Sequence, residues 1–214
     1  MYAYSAATNY NPLVPPTNSE YNSNVLSVKN HLILGIEASE SQVEETVSFA
    51  QGVNWWSTNL DITLDQLKAA IEDALGTSGT AIIKSQTTSI IYSNGGWLPE
   101  SLPFDIREMY KIQVSAACEF SLTGVPVDPS EEEITIYPGN NWIGFPSSSS
   151  MTVDAAFDGF NPVSGDIVKS QRGSSVYNGS TWVGTVDTLE PGQGYLYYSK
   201  ATEVKTFTFP TVER

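Results

Sequence analysis

The sequence has one cysteine, one histidine and few basic residues, and each scarcity removes a class of function. With Cys118 alone, no disulfide forms within the chain, so stability must come from an apolar core. With His31 alone, a multi-histidine metal site is excluded, and a Ser-His-Asp triad would have to recruit an irregular N-terminal stretch. Ten Lys and Arg stand against 24 Asp and Glu, a net charge of −14, which repels phosphate backbones and anionic lipid. Nucleic-acid partners are not expected. No apolar run reaches the length of a spanning helix, so membrane insertion is not expected either. The first residues lack the basic and apolar regions of a signal peptide, so an exported protein would need a signal outside this stretch.

What is present is a polar, Ser- and Asn-rich chain with many aromatics, the profile of β-rich extracellular domains. Laid against itself, it repeats. Gly52-Val53-Asn54-Trp55-Trp56 matches Gly139-Asn140-Asn141-Trp142-Ile143, and Ile62-Thr63-Leu64-Asp65 matches Met151-Thr152-Val153-Asp154. Ile82-Ile83-Lys84-Ser85-Gln86 matches Ile167-Val168-Lys169-Ser170-Gln171, followed by Ile91-Tyr92 with Val176-Tyr177, Trp97 with Trp182, and Tyr110 with Tyr195. Landmarks in one order, with length changes confined to loops and helix ends, indicate an internal duplication.

The expected fold is α+β and predominantly β: two tandem β-α-β-β-β-β modules at residues 44–127 and 128–214, preceded by an arm and orphan strand segment over residues 1–43. Thr63 followed by Gln66 predicts a capping box, and Leu64, Leu67, Ile71 and Leu75 give helical spacing. The second helix is shorter, from Thr152 to Phe157. Each copy then reads as a hairpin leading to Trp97 or Trp182, with two closing strands. The stretch Gly124–Ser130 reads as a short, proline-stiffened linker, so two separate cores are expected, held in a defined orientation. Val25 to Gly35 resembles the closing strands of an earlier module, or a segment that packs on a neighbour.

Gly-x-Asn-Trp, Ile-Ile/Val-Lys-Ser-Gln and the run Leu189-Glu190-Pro191-Gly192-Gln193-Gly194-Tyr195 resemble the tandem Trp-rich repeats of surface and secreted proteins from Bacteroidetes-type bacteria. The resemblance covers roughly residues 44–214 and implies a non-catalytic extracellular module. It carries no catalytic residues over. The first copy departs from it at Phe104-Asp105-Ile106-Arg107-Glu108, so a site built on that loop would differ between copies.

The candidate ligand-binding residues are Trp97, Trp182, Lys84, Gln86, Lys169 and Gln171. Trp97 and Trp182 at hairpin turns divide between sugar stacking and core packing, whereas Trp55 and Trp142 are expected in the core. Lys84 and Gln86, like Lys169 and Gln171, either bond a ligand or hold an adjoining loop through its carbonyls. Asp128 and Glu131 to Glu133 lack the spacing of a calcium loop, and Asn178-Gly179-Ser180 reads as a turn. No metal, cofactor or catalytic residue is expected. The leading function is a non-enzymatic extracellular module for adhesion to a glycan or protein on a bacterial or host surface. Two alternatives stay open: a structural subunit of a filament or virion that binds copies of itself through the arm, and an accessory carbohydrate-binding domain of a larger enzyme.

Overall fold

A computed structural model describes residues 41–211, and the expectations for the N-terminal arm and for Val25 to Gly35 lie outside them. Residues 42–211 form one compact unit, built predominantly from antiparallel β-sheet. In chain order the first half contains β1 (Val43–Phe49), β2 (Gly52–Trp56), β3 (Leu60–Asp61), α1 (Leu64–Leu75), β4 (Ala81–Lys84), β5 (Ser89–Ser93), β6 (Gly96–Leu98), β7 (Tyr110–Val114) and β8 (Cys118–Pro126). The second half follows with β9 (Ile134–Ile136), β10 (Gly139–Ile143), β11 (Met151–Thr152), α2 (Val153–Ala156), β12 (Ile167–Lys169), β13 (Ser174–Tyr177), β14 (Trp182–Gly184), β15 (Thr188–Leu189), β16 (Tyr195–Ser199) and β17 (Lys205–Phe207). Both halves carry a five-stranded sheet of one order, β2-β7-β4-β5-β6 and β10-β16-β12-β13-β14. In each, the opening strand pairs with the closing one, β1 with β8 and β9 with β17.

Three strands precede α1 where the sequence suggested one. The chain turns between β1 and β2, and Gly52 opens β2 at φ 98°, as Gly139 opens β10 at φ 90°, in a region that side chains resist. The Asn of the landmark fixes this turn. Asn54 Nδ2 donates to the Ala50, Gly52 and Ile112 carbonyls while its Oδ1 accepts from Ala50 N. Asn141 makes the same four bonds, to the Tyr137, Gly139 and Tyr197 carbonyls and from Tyr137 N. A second difference lies at the expected linker, because β8 runs on to Pro126 and pairs Val125 and Pro126 with Asp61 and Leu60.

α1 begins as its sequence dictates: the Thr63 side chain accepts from Gln66 N, and Gln66 Oε1 accepts from Thr63 N at 2.8 Å. Leu64, Leu67 and Ile71 turn inward onto the inner face of the first sheet, where Tyr110, Ile112, Ile83 and Ile90 lie buried. In the second half α2 is one turn long, and rings fill the volume a longer helix would occupy. Phe157 meets Phe160, Trp182, Tyr197, Phe207 and Phe209 at centroid distances of 5.2 to 6.0 Å. The two cores share no residue.

Each half also pins a loop with a buried tyrosine. Tyr110 Oη accepts from Asp105 N at 2.7 Å, and Tyr195 Oη accepts from Glu190 N at 2.7 Å. Burial raises both phenol pKa values, that of Tyr195 to about 12, and raises Tyr197 further still, where Asp166 Oδ2 accepts its proton at 2.6 Å. A raised folded-state pKa contributes stability that is intact below the unfolded value of about 10 and disappears as pH rises through the folded value. Urea midpoints are therefore expected to stay level from pH 8 to about 10 and to fall steeply toward 12. A level midpoint across the whole range would show that these phenols ionise freely in the fold.

Candidate functional site

The sequence-repeated residues converge on the seam between the halves. β2 and β10 are the edge strands of their sheets, and an edge leaves main-chain donors and acceptors without strand partners. A glutamine from the opposite half covers each edge. Gln171 Oε1 accepts from Trp55 N at 2.9 Å while its Nε2 donates to Val53 O at 2.6 Å. Reciprocally, Gln86 Oε1 accepts from Trp142 N at 2.8 Å and its Nε2 donates to Asn140 O at 3.0 Å. A side-chain amide has the donor and acceptor of a peptide group, so each glutamine acts as one residue of an added strand.

The rest of the seam is reciprocal as well. Antiparallel bridges join Trp56 to Gln193 and Ile143 to Glu108. Gly194 N donates to Trp55 O and Met109 N to Trp142 O, while Ser57 N donates to Gly192 O and Gly144 N to Arg107 O. Contacts that recur with the partners exchanged define an approximate twofold axis. At that axis the matched residues are unequal. Gly194 faces Met109, and a Cβ on Gly194 would lie 2.2 Å from Met109 Cγ. Gly144 faces the Ile106 carbonyl, 2.4 Å from where its Cβ would stand, whereas its counterpart Ser57 donates to Gln193 O at 2.7 Å and accepts from Phe145 N at 3.0 Å. Two cores are thus locked by main-chain and amide bonds into one body, not strung as beads.

Trp55 and Trp142 lie on this seam and not in the cores where the sequence reading put them. Strand alternation is the reason: Trp56 and Ile143 take the inward positions, so their predecessors face outward. Both indoles are half-buried, and the Lys111 ammonium stands between them, 4.6 Å from the Trp55 ring centroid and 4.4 Å from that of Trp142. Partial burial, and secondarily the charge of Lys84, lowers the pKa of Lys111. Lys84 pairs with Lys111 in register on the same outer face. Lys169 is exposed at the matched position, where its partner is Leu196. Lys111 itself escapes self-comparison of the sequence, because Leu196 replaces it in the second half.

The seam therefore gathers Gln86, Gln171 and Lys84, but not Trp97 and Trp182, which belong to the outer hairpins far along each sheet order. Those two indoles are half-buried over their own cores. Trp97 lies 5.3 Å from the Tyr92 ring and its Nε1 donates to Glu72 Oε1; Trp182 lies 5.3 Å from Phe157 and 5.5 Å from Tyr177. Asp154 holds the second hairpin by accepting from Thr181 Oγ1 and Trp182 N. The serine between each Lys and Gln closes a turn: Ser85 Oγ accepts from Thr87 N and Thr88 N, Ser170 Oγ from Arg172 N and Gly173 N. Among the described residues no group of three or more His, Cys, Asp or Glu side chains stands together as a metal site would require. No helix among them is long and apolar enough to cross a membrane.

Two clefts flank the seam, one beside each glutamine. The larger, about 930 Å³, lies between Glu45–Ala50 and Asn54–Trp56 of the first half and Ser170–Arg172 and Thr185–Gln193 of the second. Its counterpart, about 350 Å³, lies between Glu133–Tyr137 and Asn141–Ile143 on one side and Gln86, Thr87 and Asp105–Glu108 on the other. No family model, curated protein or solved structure matches the chain.

If the glutamines clamp the halves, Gln86→Ala and Gln171→Ala should each lower unfolding stability by about 1 kcal/mol, a typical net hydrogen-bond contribution. Urea denaturation of the single and double variants measures this, and an unchanged midpoint in the double variant would remove the clamp from the account of stability.

Proposed function

We propose that this chain is a non-enzymatic extracellular binding protein of a bacterial surface, built from an internal duplication whose halves work as one unit. The supporting observation is where the duplicated residues are used. Gly52 and Gly139, Asn54 and Asn141, Ser85 and Ser170, and Gln86 and Gln171 shape turns or join the halves. What the seam leaves on its surface is a cationic and aromatic group, Trp55, Lys111 and Trp142, of the kind that holds ligands by stacking and hydrogen bonding. The ligand of this reading is a glycan or a protein on a cell surface, met at the seam and not at the hairpin tryptophans. The likeness to Trp-rich bacterial surface repeats agrees with it. The test is binding of the labelled full chain to glycan arrays, immobilised matrix proteins and whole cells, with Trp142→Ala beside it. Saturable binding with the ligand recovered unchanged supports the reading; chemical turnover of a bound ligand overturns it.

A second reading, a structural subunit that assembles with copies of itself, is favoured by a separate observation. The outer edge hairpins expose matched apolar cross-strand pairs, Ile91 with Leu98 and Val176 with Val183, Leu98 at 77%. Two equivalent patches per chain give the valency that a propagating contact between copies requires. On this reading light scattering finds an oligomer that Leu98→Glu and Val183→Glu together convert to monomer, and a concentration-independent monomer for the unaltered chain rejects it.

A further inference from the structure

The two clefts are counterparts by construction, so their difference in size reports what each half has done with the same geometry. In the smaller cleft the loop facing the glutamine brings in bulk and charge. Arg107 there donates to Asp105 at 2.8 Å through Nε and 2.6 Å through Nη2, which lowers the Asp105 pKa, and Glu108 stands beside the pair. In the larger cleft the same positions hold Glu190, Pro191, Gly192 and Gln193, and the space stays open at about 930 Å³, near the upper end of ligand-site volumes.

The walls of the open cleft narrow the chemistry of an occupant. Glu45, Asp187, Glu190 and Arg172 line it; Glu45 accepts from Asn59, and the other three side chains have no hydrogen bond or ion pair among the described residues. Unspent carboxylates supply acceptors, the guanidinium supplies donors, and Thr46 and Thr188 add hydroxyls. Trp55 contributes a flat apolar flank. An anionic ligand meets more carboxylates than cations, and an apolar one meets polar walls. A basic peptide meets Arg172 among the acids. Donors and acceptors lining one cleft with an indole match the hydroxyls and apolar face of a sugar ring.

Resting on the binding-protein reading, we propose that the cleft between β1 and the Thr185–Gln193 loop is a binding site for a neutral oligosaccharide, and that the chain carries one such site and not two. The site is made from both halves, so it exists only when the seam is closed. The experiment is isothermal titration of the full chain with neutral oligosaccharides of β-glucan, α-mannan, xylan, chitin and N-acetyllactosamine type, alongside a lysine-rich peptide and a uronic-acid oligomer. One neutral series is expected to bind at one site per chain. Asp187→Ala and Arg172→Ala, whose side chains support nothing else, are each expected to weaken it at least tenfold with an unchanged circular dichroism spectrum. Binding that survives both changes but is lost with Trp142→Ala moves the site to the Trp55, Lys111 and Trp142 group or to the other cleft and overturns the assignment. Binding of the peptide or the acidic oligomer alone overturns the ligand class, as does the absence of any oligosaccharide binding. The binding-protein reading fails separately, when the intact chain attaches to no glycan, matrix protein or cell.

Discussion

The arrangement of the two halves is held by an exchange of two glutamine amides across the seam. Gln86 and Gln171 leave the ends of equivalent strands and each completes the open edge of the opposite sheet. An unpaired sheet edge invites pairing with other chains. Here the edge nearest the approximate twofold axis is satisfied internally, and the main-chain bridges at Trp56 and Ile143 belong to the same closure. The seam thus settles two problems at once, the protection of β2 and β10 and the fixed orientation of two otherwise independent cores.

That orientation is what gives the surface its candidate sites. Trp55 and Trp142 come from different halves, and only a closed seam sets both rings within reach of one lysine. The flanking clefts likewise have one wall from each half. The candidate sites are therefore a property of the pair, and a change that loosens the seam alters them without touching their residues.

Much of the architecture was legible in the chain because its signals are local. The Thr63 and Gln66 capping box and the apolar spacing of α1 concern neighbouring residues, and the structure realises them as read. The repeat also marked Asn54 and Gln86 as constrained, but recurrence reports constraint without saying what imposes it. Asn54 closes its own turn, whereas Gln86 reaches a strand 54 to 56 residues away, and nothing local names that partner. Trp55 was misjudged for a reason the sequence contained: if Trp56 faces inward, alternation sends Trp55 out. Lys111 left no trace in the self-comparison, since Leu196 holds its place. The departure of the Phe104–Glu108 loop from its counterpart was legible in the sequence, and in the structure that loop lines the narrower cleft while its counterpart lines the wider one.

The unequal residues at the axis decide which halves can pair. Two identical halves docked by a twofold would place the same side chain on both sides of the axis, two methionines or two glycines at the Met109 and Gly194 position. Instead a large residue on one side meets a glycine on the other, and Ser57 is answered by Gly144. Each half has become the complement of its partner and no longer of itself. A symmetric pairing of like halves is closed to them, and a chain assembled from two first halves would bring Met109 against a second methionine where the fold leaves room only for a hydrogen atom.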